Sequence, residues 1–400
     1  MNSMVGCRAL VGVVLMACSL GARAELPADL PSVTLFPASD AATACYRIPA
    51  LLRLRDGTLL AFAEARRNSC ADFGWVEIVM RRSVDRGLTW SPQQVVASFG
   101  HLQAGNPVPV EDTADPRFPT GRVFLFYNTG TASTEQVRAG NGLREQWVAH
   151  SIDGGATWDE PENITAQTAR LSAPPYRNPQ DWRARAMGPG HGLQTTSGRL
   201  FIAGNHSTGA ARDDDTDYVA YAFHSDDHGR SFRIVPDIAY PGSNESTAAQ
   251  LGDGRIMMNS RDQSGRSRAR IVSVTPEVDG SVFGVPYVDL ALVDPVSQGS
   301  LLAGLRNARN YLFFVNPANP FVRIGLTLRA SLDDGQTWPK ALVLVPAGAG
   351  YSDIALLDEQ HMGVLYEQGP WIRGARDVDG PFNRGPVRFM QVPLAPWLDS

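Results

Sequence analysis

Four copies of one eight-residue pattern, S-x-D-x-G-x-[TS]-[WF], constrain this chain more than any other feature. They read SVDRGLTW (83–90), SIDGGATW (151–158), SDDHGRSF (225–232) and SLDDGQTW (331–338). Self-similarity along a chain signals a repeat architecture in which each repeat is one small structural unit. Within the pattern, Asp-x-Gly supplies a turn: the aspartate bonds nearby backbone amides and the glycine takes a positive φ. Each copy is expected to close a hairpin, with its Thr or Ser and its aromatic residue tucked against the sheet. The pattern's role is structural and carries no catalysis. The widest gap, between the third and fourth copies, has room for a degenerate copy near Val278-Asp279-Gly280-Ser281-Val282-Phe283.

The stretches between copies are short and rich in β-formers, such as 121–127, 199–203, 218–223 and 362–366. Short strands separated by frequent turns indicate an all-β fold. The 38 glycines and 28 prolines suit many turns. Roughly 370 residues over six four-stranded blades leaves about 60 for each, enough for four strands and their loops. The expected fold is therefore a six-bladed β-propeller of four-stranded antiparallel blades; seven blades would be tight. No linker or second domain is evident, so 25–400 is expected to form one domain.

Charge and hydropathy narrow the function. The formal net charge is −5, and no basic excess points to nucleic acid or another polyanion. Internal apolar runs fall short of the roughly 18 residues of a membrane span. The first 24 residues read as a signal peptide: Arg8, an apolar stretch from Ala9 to Ala22, then Ala22-Arg23-Ala24 as a small-x-small cleavage site. The expected location is secreted or periplasmic. Leu15-Met16-Ala17-Cys18 is an imperfect lipidation box, which leaves a lipid-anchored form through Cys18 as a second option. Cleavage would retain only Cys45 and Cys70. In an oxidising compartment they could pair, but their spacing does not decide it.

Further motifs carry chemistry. Tyr46-Arg47-Ile48-Pro49, followed by four Asp-box copies, resembles the opening of the sialidase family. The segment AFAEARRNSCADFGWVEIVMRRSVDRGLTWSP (61–92) is similar to its animal and bacterial branches, and the resemblance runs from about 45 to 368. What it implies is an exo-α-sialidase, a retaining glycosidase releasing terminal sialic acid from glycoproteins, glycolipids or oligosaccharides. The substrate carries a carboxylate on its anomeric carbon. Three arginines clamp that anion in the family, because a guanidinium fork matches carboxylate geometry and stays charged. Arg47, Arg261 and Arg323 match them, with Arg266, Arg270 and Arg329 as rivals. Glu367 matches the glutamate that orients the first arginine.

The same resemblance assigns the remaining roles. A carboxylate nucleophile would be repelled by the sugar's own carboxylate, and sialidases use a tyrosine instead. Tyr351 matches that tyrosine, and Glu245 matches the glutamate that activates it. Asp72 matches the acid/base residue, which protonates the departing oxygen and then deprotonates water. Arg66 matches an arginine that binds the substituent on the sugar's fourth carbon, although Arg67 beside it blurs the assignment. Gly188-Pro189-Gly190-His191-Gly192-Leu193-Gln194 resembles a pocket-lining segment, with His191 and Gln194 as substrate contacts. The chemistry requires no metal or organic cofactor. The chain is expected to work as a monomer. A trans-sialidase or related sialic-acid glycosidase is the alternative within the family, and a non-catalytic sugar-binding propeller the alternative outside it.

Overall fold

A computed structural model describes residues 30–171, 181–278, 280–369 and 385–399. The expected signal peptide, Cys18 and Asp279 lie outside the described residues. Strands dominate what is described; helices there are limited to Thr134–Arg138, Thr165–Thr168 and Ala395–Leu398.

The strands form four sheets. The first runs from Cys45–Arg53 through Leu59–Arg66 and Val76–Ser83 to Gln103–Asp112, Arg122–Gly130, Arg144–Ser151 and Glu162–Asn163, with Gln94–Ala97 on Val76–Ser83. The second orders Trp182–Met187, Leu200–Thr208, Tyr218–Ser225 and Arg233–Val235, with Leu193–Gln194 also on Leu200–Thr208. The third is Ser243–Gln250, Ile256–Asp262, Ala269–Val274 and Tyr287–Val293. In the fourth, Ser300–Arg306, Arg309–Pro317 and Ile324–Ser331 lead to the long strand Lys340–Asp358, then to His361–Gln368 and Val387–Pro393. Ser32–Phe36 completes that sheet by pairing antiparallel with Val387–Pro393. The two ends of the described chain are thereby fastened together.

Most of these strands are buried on both faces and read as near-continuous apolar runs, whose side chains meet between neighbouring sheets. One core joins Tyr46, Leu51, Ala61 and Val79 to Leu365 and Phe389 from the far end of the chain. Another joins Phe124 and Phe126 to Ile202, Tyr221 and Phe223.

The four repeats form one hydrogen-bonded motif. In the first, Ser83 Oγ donates to Asp85 Oδ1 (2.8 Å) and accepts from Gly87 N (2.7 Å), while Thr89 N donates to Asp85 (2.9 Å). The copies at Ser151, Ser225 and Ser331 repeat all three bonds. The glycine is required twice over. Gly87 has φ +89°, and a Cβ there would stand 2.3 Å from the Phe389 ring; Gly229, with φ +77°, meets Phe124 the same way at 2.3 Å. These two turns are thus pressed onto a core aromatic, whereas the glycines of the other two copies, Gly155 and Gly335, face Leu60 and Met257.

Candidate active site

Regular strands alternate their side chains, so a one-residue irregularity re-aims everything near it. Such irregularities fall on the expected site residues. The register shifts between Arg47 and Ala50, between Ser243 and Ser246 around Glu245, and between Ala349 and Ser352 around Tyr351. A further shift follows Arg323, between Ile324 and Leu326. At the first, Ile48 takes φ +57°, which is rare for a β-branched residue and is strained. Its N–H donates to Glu367 Oε1 at 2.8 Å, and this bond holds it.

Tyr351 lies at the centre. Its Oη donates to Glu245, whose two oxygens are each 2.7 Å away. Arg261 Nη1 donates to the same Oη at 2.8 Å and to Glu245 Oε2 at 2.6 Å. The guanidinium carbons of Arg47 and Arg323 lie 5.3 and 5.2 Å from the Tyr351 ring centroid. Three arginines distant in sequence therefore surround one phenol. Burial, followed by the Glu245 carboxylate, raises the phenol's pKa above its ordinary value, while the three arginines pull it down. The phenol is neutral at neutral pH and has a proton acceptor in contact.

Glu367 fixes this arrangement from behind. One of its oxygens accepts from Arg47 Nε at 2.7 Å and the other from Tyr351 N at 3.1 Å. Burial works against the charge of Arg47, but Glu367 more than offsets it and holds the guanidinium above its ordinary pKa. Arg323 donates to Val296 O at 3.1 Å, and burial depresses its pKa.

Asp72 stands on the loop after Leu59–Arg66. Its Oδ1 is 2.7 Å from Arg66 Nη1, and its side chain is 56% exposed. The surrounding protein works to raise its pKa, but Arg66, then Arg47 and Arg323, outweigh this and hold the carboxyl below its ordinary value. Arg66 and Arg67 separate cleanly. Arg66 turns toward Asp72, whereas Arg67 bonds Glu77 (2.7 Å) and Thr43 (2.6 Å). The rival arginines are engaged elsewhere: Arg270 with Asn259, Arg329 with Asn316 and Arg266 with Ser264.

Glu64 was missed by sequence reasoning. It is buried and accepts two bonds from Arg66 at 2.9 and 2.7 Å and one from Asn106 N at 2.8 Å. A Cβ on Gly105 would come within 2.4 Å of its Oε1, so glycine gives it room. The signal was present in Leu59–Arg66: Glu64 and Arg66, two apart and so on one face, are the charged residues of an otherwise apolar, fully buried strand. Replacing Glu64 by alanine leaves the buried Arg66 with only the exposed Asp72 as a charged partner and is expected to destabilise the fold by about 3 kcal/mol. Urea unfolding followed by tryptophan fluorescence measures this.

Two further expected contacts, His191 and Gln194, have protein partners of their own. His191 Nδ1 pairs with buried Asp353 (2.7 Å), which also accepts from Ser300 Oγ (2.6 Å) and Leu51 N (2.8 Å). Gln194 bonds Asp112 (2.7 Å) and Thr113 N (3.0 Å). Both line a separate cavity of about 570 Å³, with Leu51, Gln250, Leu302 and Leu356, further along the same strands and away from Tyr351. The glycine-rich segment that carries them supports the site indirectly, because Gly188 O accepts from Ser246 N beside Glu245 (3.0 Å). Among the described residues, Asp112, Asp115 and His228 form a cluster of metal-ligand type. Arg117 already occupies Asp115 through two side-chain bonds, at 2.9 and 2.7 Å, so the residues present do not favour a cation.

Cys45 and Cys70 form a disulfide, with a Cα–Cα separation of 5.2 Å. It joins the strand of Arg47 to the loop of Asp72.

Comparison with known proteins identifies the family. The BNR repeat-like domain family matches residues 57–364. A sialidase of Micromonospora viridifaciens is 34% identical over 353 residues, covering 82% of this chain and 51% of that protein. A sialidase of Bacteroides fragilis is 28% identical, covering 82% of this chain and 61% of that protein. The chain thus spans between half and two thirds of the length of these relatives. Among solved structures, a Hadza microbial sialidase superposes with a TM-score of 0.75 at 26% identity, covering 92% of this chain and 69% of that one. A leech intramolecular trans-sialidase gives 0.72 at 16% identity, covering 92% and 71%, and speaks for the fold alone. The repeats, the matched domain and these relatives together show that the chain belongs to the sialidase family with BNR repeats.

Proposed function

We propose that this protein is an exo-α-sialidase that hydrolyses terminal sialic acid from glycoconjugates with net retention. The observation that carries the reading is a buried, neutral phenol bonded to Glu245 and enclosed by Arg47, Arg261 and Arg323. Three positive charges around a nucleophile suit a substrate whose reacting carbon bears a carboxylate. Tyr351 attacks the anomeric carbon as Glu245 takes its proton. Asp72 protonates the departing oxygen, and Arg66 holds the substituent on the fourth carbon. The tyrosyl–sugar bond is then broken by water, from which Asp72 removes a proton. Two displacements at one carbon restore its configuration.

The scaffold we infer is a six-bladed propeller formed by one domain, 25–400. The strand order supports it, since Ser243–Gln250 to Tyr287–Val293 is a four-stranded antiparallel sheet of the expected kind and sequential antiparallel strands make up the others. Lys340–Asp358 closes the fifth blade and opens the sixth, which Ser32–Phe36 completes. Export after loss of the first 24 residues is also proposed. The Cys45–Cys70 disulfide supports it, because such bonds persist in oxidising compartments. Substrates are sialylated glycoproteins, glycolipids or oligosaccharides, and the enzyme acts as a monomer.

The test is proton NMR of purified protein mixed with 3′-sialyllactose. Release of α-sialic acid that later mutarotates is expected. Release of the β-anomer first, or no release between pH 4 and 8, contradicts the reading. Added acceptor sugar that captures the product would instead indicate transfer.

A further inference from the structure

We infer that the Cys45–Cys70 disulfide is a positioning device for the acid, Asp72; the inference rests on the function proposed above. Cys45 sits two residues before Arg47, and Cys70 two before Asp72. Both cysteines are buried. Cys45 faces Arg66 across the strand pair, so the disulfide pulls the loop back onto the strands that carry both arginines. The consequence is read by a single atom. Arg66 Nη1 donates to Cys70 O at 2.6 Å and lies 2.7 Å from Asp72 Oδ1. A carbonyl fixed by the disulfide and the carboxylate of the acid thus share one donor. On the far side, Gln103 Nε2 donates to Asp72 O at 2.7 Å, and Arg67 N donates to Trp75 O at 2.9 Å, closing the base of the loop.

The rest of this loop has no regular strand between Arg66 and Val76. Asp72, more than half exposed, gains little fixation from packing. Without the disulfide, Cys70 O is free to drift and Arg66 loses one of its two references for the acid. Arg47, Arg66 and Tyr351 stay in place, because their partners Glu367, Glu64 and Glu245 lie outside the loop. Loss of the bond should therefore impair proton delivery while leaving sugar binding and tyrosine attack nearly intact.

Proton delivery has a distinctive signature. A sugar alcohol is a poor leaving group and needs the acid; a nitrophenolate leaves without it. The experiment compares wild type with Cys45→Ala/Cys70→Ala on 3′-sialyllactose and on 4-nitrophenyl sialoside. Misplacement of a catalytic group by an ångström costs about 100-fold, so kcat/KM for sialyllactose should fall by about that factor. kcat/KM for the nitrophenyl substrate should lose less than about threefold, since it ends at departure of the aglycone, which is insensitive to the acid, and excludes the later step in which Asp72 acts on water. In an Asp72→Ala background the cysteine changes should add nothing further. An equal fall on both substrates, or no fall on either, overturns the inference.

If the double variant does not fold, the same ratio is measured on wild-type protein reduced by a phosphine, with thiols counted by mass spectrometry. Alkylation of Cys45 and Cys70 without prior reduction overturns the inference outright. Hydrogen exchange over 68–75 reads the positioning independently of turnover. Faster exchange on loss of the disulfide is expected, and unchanged exchange contradicts it. Wild-type protein inactive on both substrates would indict the proposed function, and the exchange result would still decide the positioning.

Discussion

Replacing Tyr351 by phenylalanine is expected to lower kcat by about 10⁴-fold or more, as loss of a nucleophile does elsewhere. The change deletes one atom. The ring stays between Arg47 and Arg323, whose guanidiniums lie over its faces or edges at 5.3 and 5.2 Å. Glu245 keeps Arg261 at 2.6 Å, so no buried charge is stranded. Stability should therefore change by no more than about 3 kcal/mol, the upper range for a hydrogen bond to a charged group. Release of a fluorogenic aglycone gives the rate, and thermal unfolding gives the stability. A large loss of rate with an unchanged fold separates chemistry from folding. A variant that folds and turns over like the wild type would remove Tyr351 from the mechanism.

Asp72→Asn is the second large effect, expected at about 10²- to 10⁴-fold on a sugar leaving group, the range of general acid catalysis. Here the charge balance decides the pH behaviour. In the free protein desolvation by the surrounding residues works to raise the pKa of Asp72, but Arg66, Arg47 and Arg323 hold it below the ordinary carboxylate range. A bound sugar carboxylate offsets part of that positive field and so raises the acid's pKa in the complex. The proton is then available at the pH where substrate is bound. Turnover of sialyllactose should accordingly decline as pH rises through the raised value, where Asp72 loses its proton. The decline should vanish in Asp72→Asn. Steady-state rates from pH 4 to 8 on both proteins measure it; an identical slope in the two would assign the limb to another group.

Much of the architecture could be read from the repeats. Each one encodes its own hydrogen bonds, with Ser, Asp, Gly and Thr or Ser at fixed offsets, so local sequence suffices. The candidate arginines and Tyr351 were likewise picked out by short motifs around them, and the structure brings them within reach of one another. What the sequence did not convey is where strands break register. Whether Glu245 or Tyr351 points inward depends on a bulge between two strands, and alternation alone would not assign its direction. His191 illustrates the limit. A glycine-rich segment suggested a ligand contact, yet the ring's partner is Asp353, 162 residues away in sequence. Gln194 was claimed in the same way by Asp112. Glu64 failed to stand out because its importance lies in Arg66 being buried, and burial of a charged pair is a tertiary property.

The account depends on a covalent bond between the sugar and the phenol of Tyr351. It is tested most directly by mixing the protein with a sialic acid that carries fluorine at carbon 3 and fluoride as the leaving group. Denaturing mass spectrometry then locates the trapped sugar. One added sugar is expected on the peptide that contains Tyr351, and none on the Tyr351→Phe protein. An adduct on Glu245 or Asp72, or full turnover with no adduct on any peptide, would contradict it.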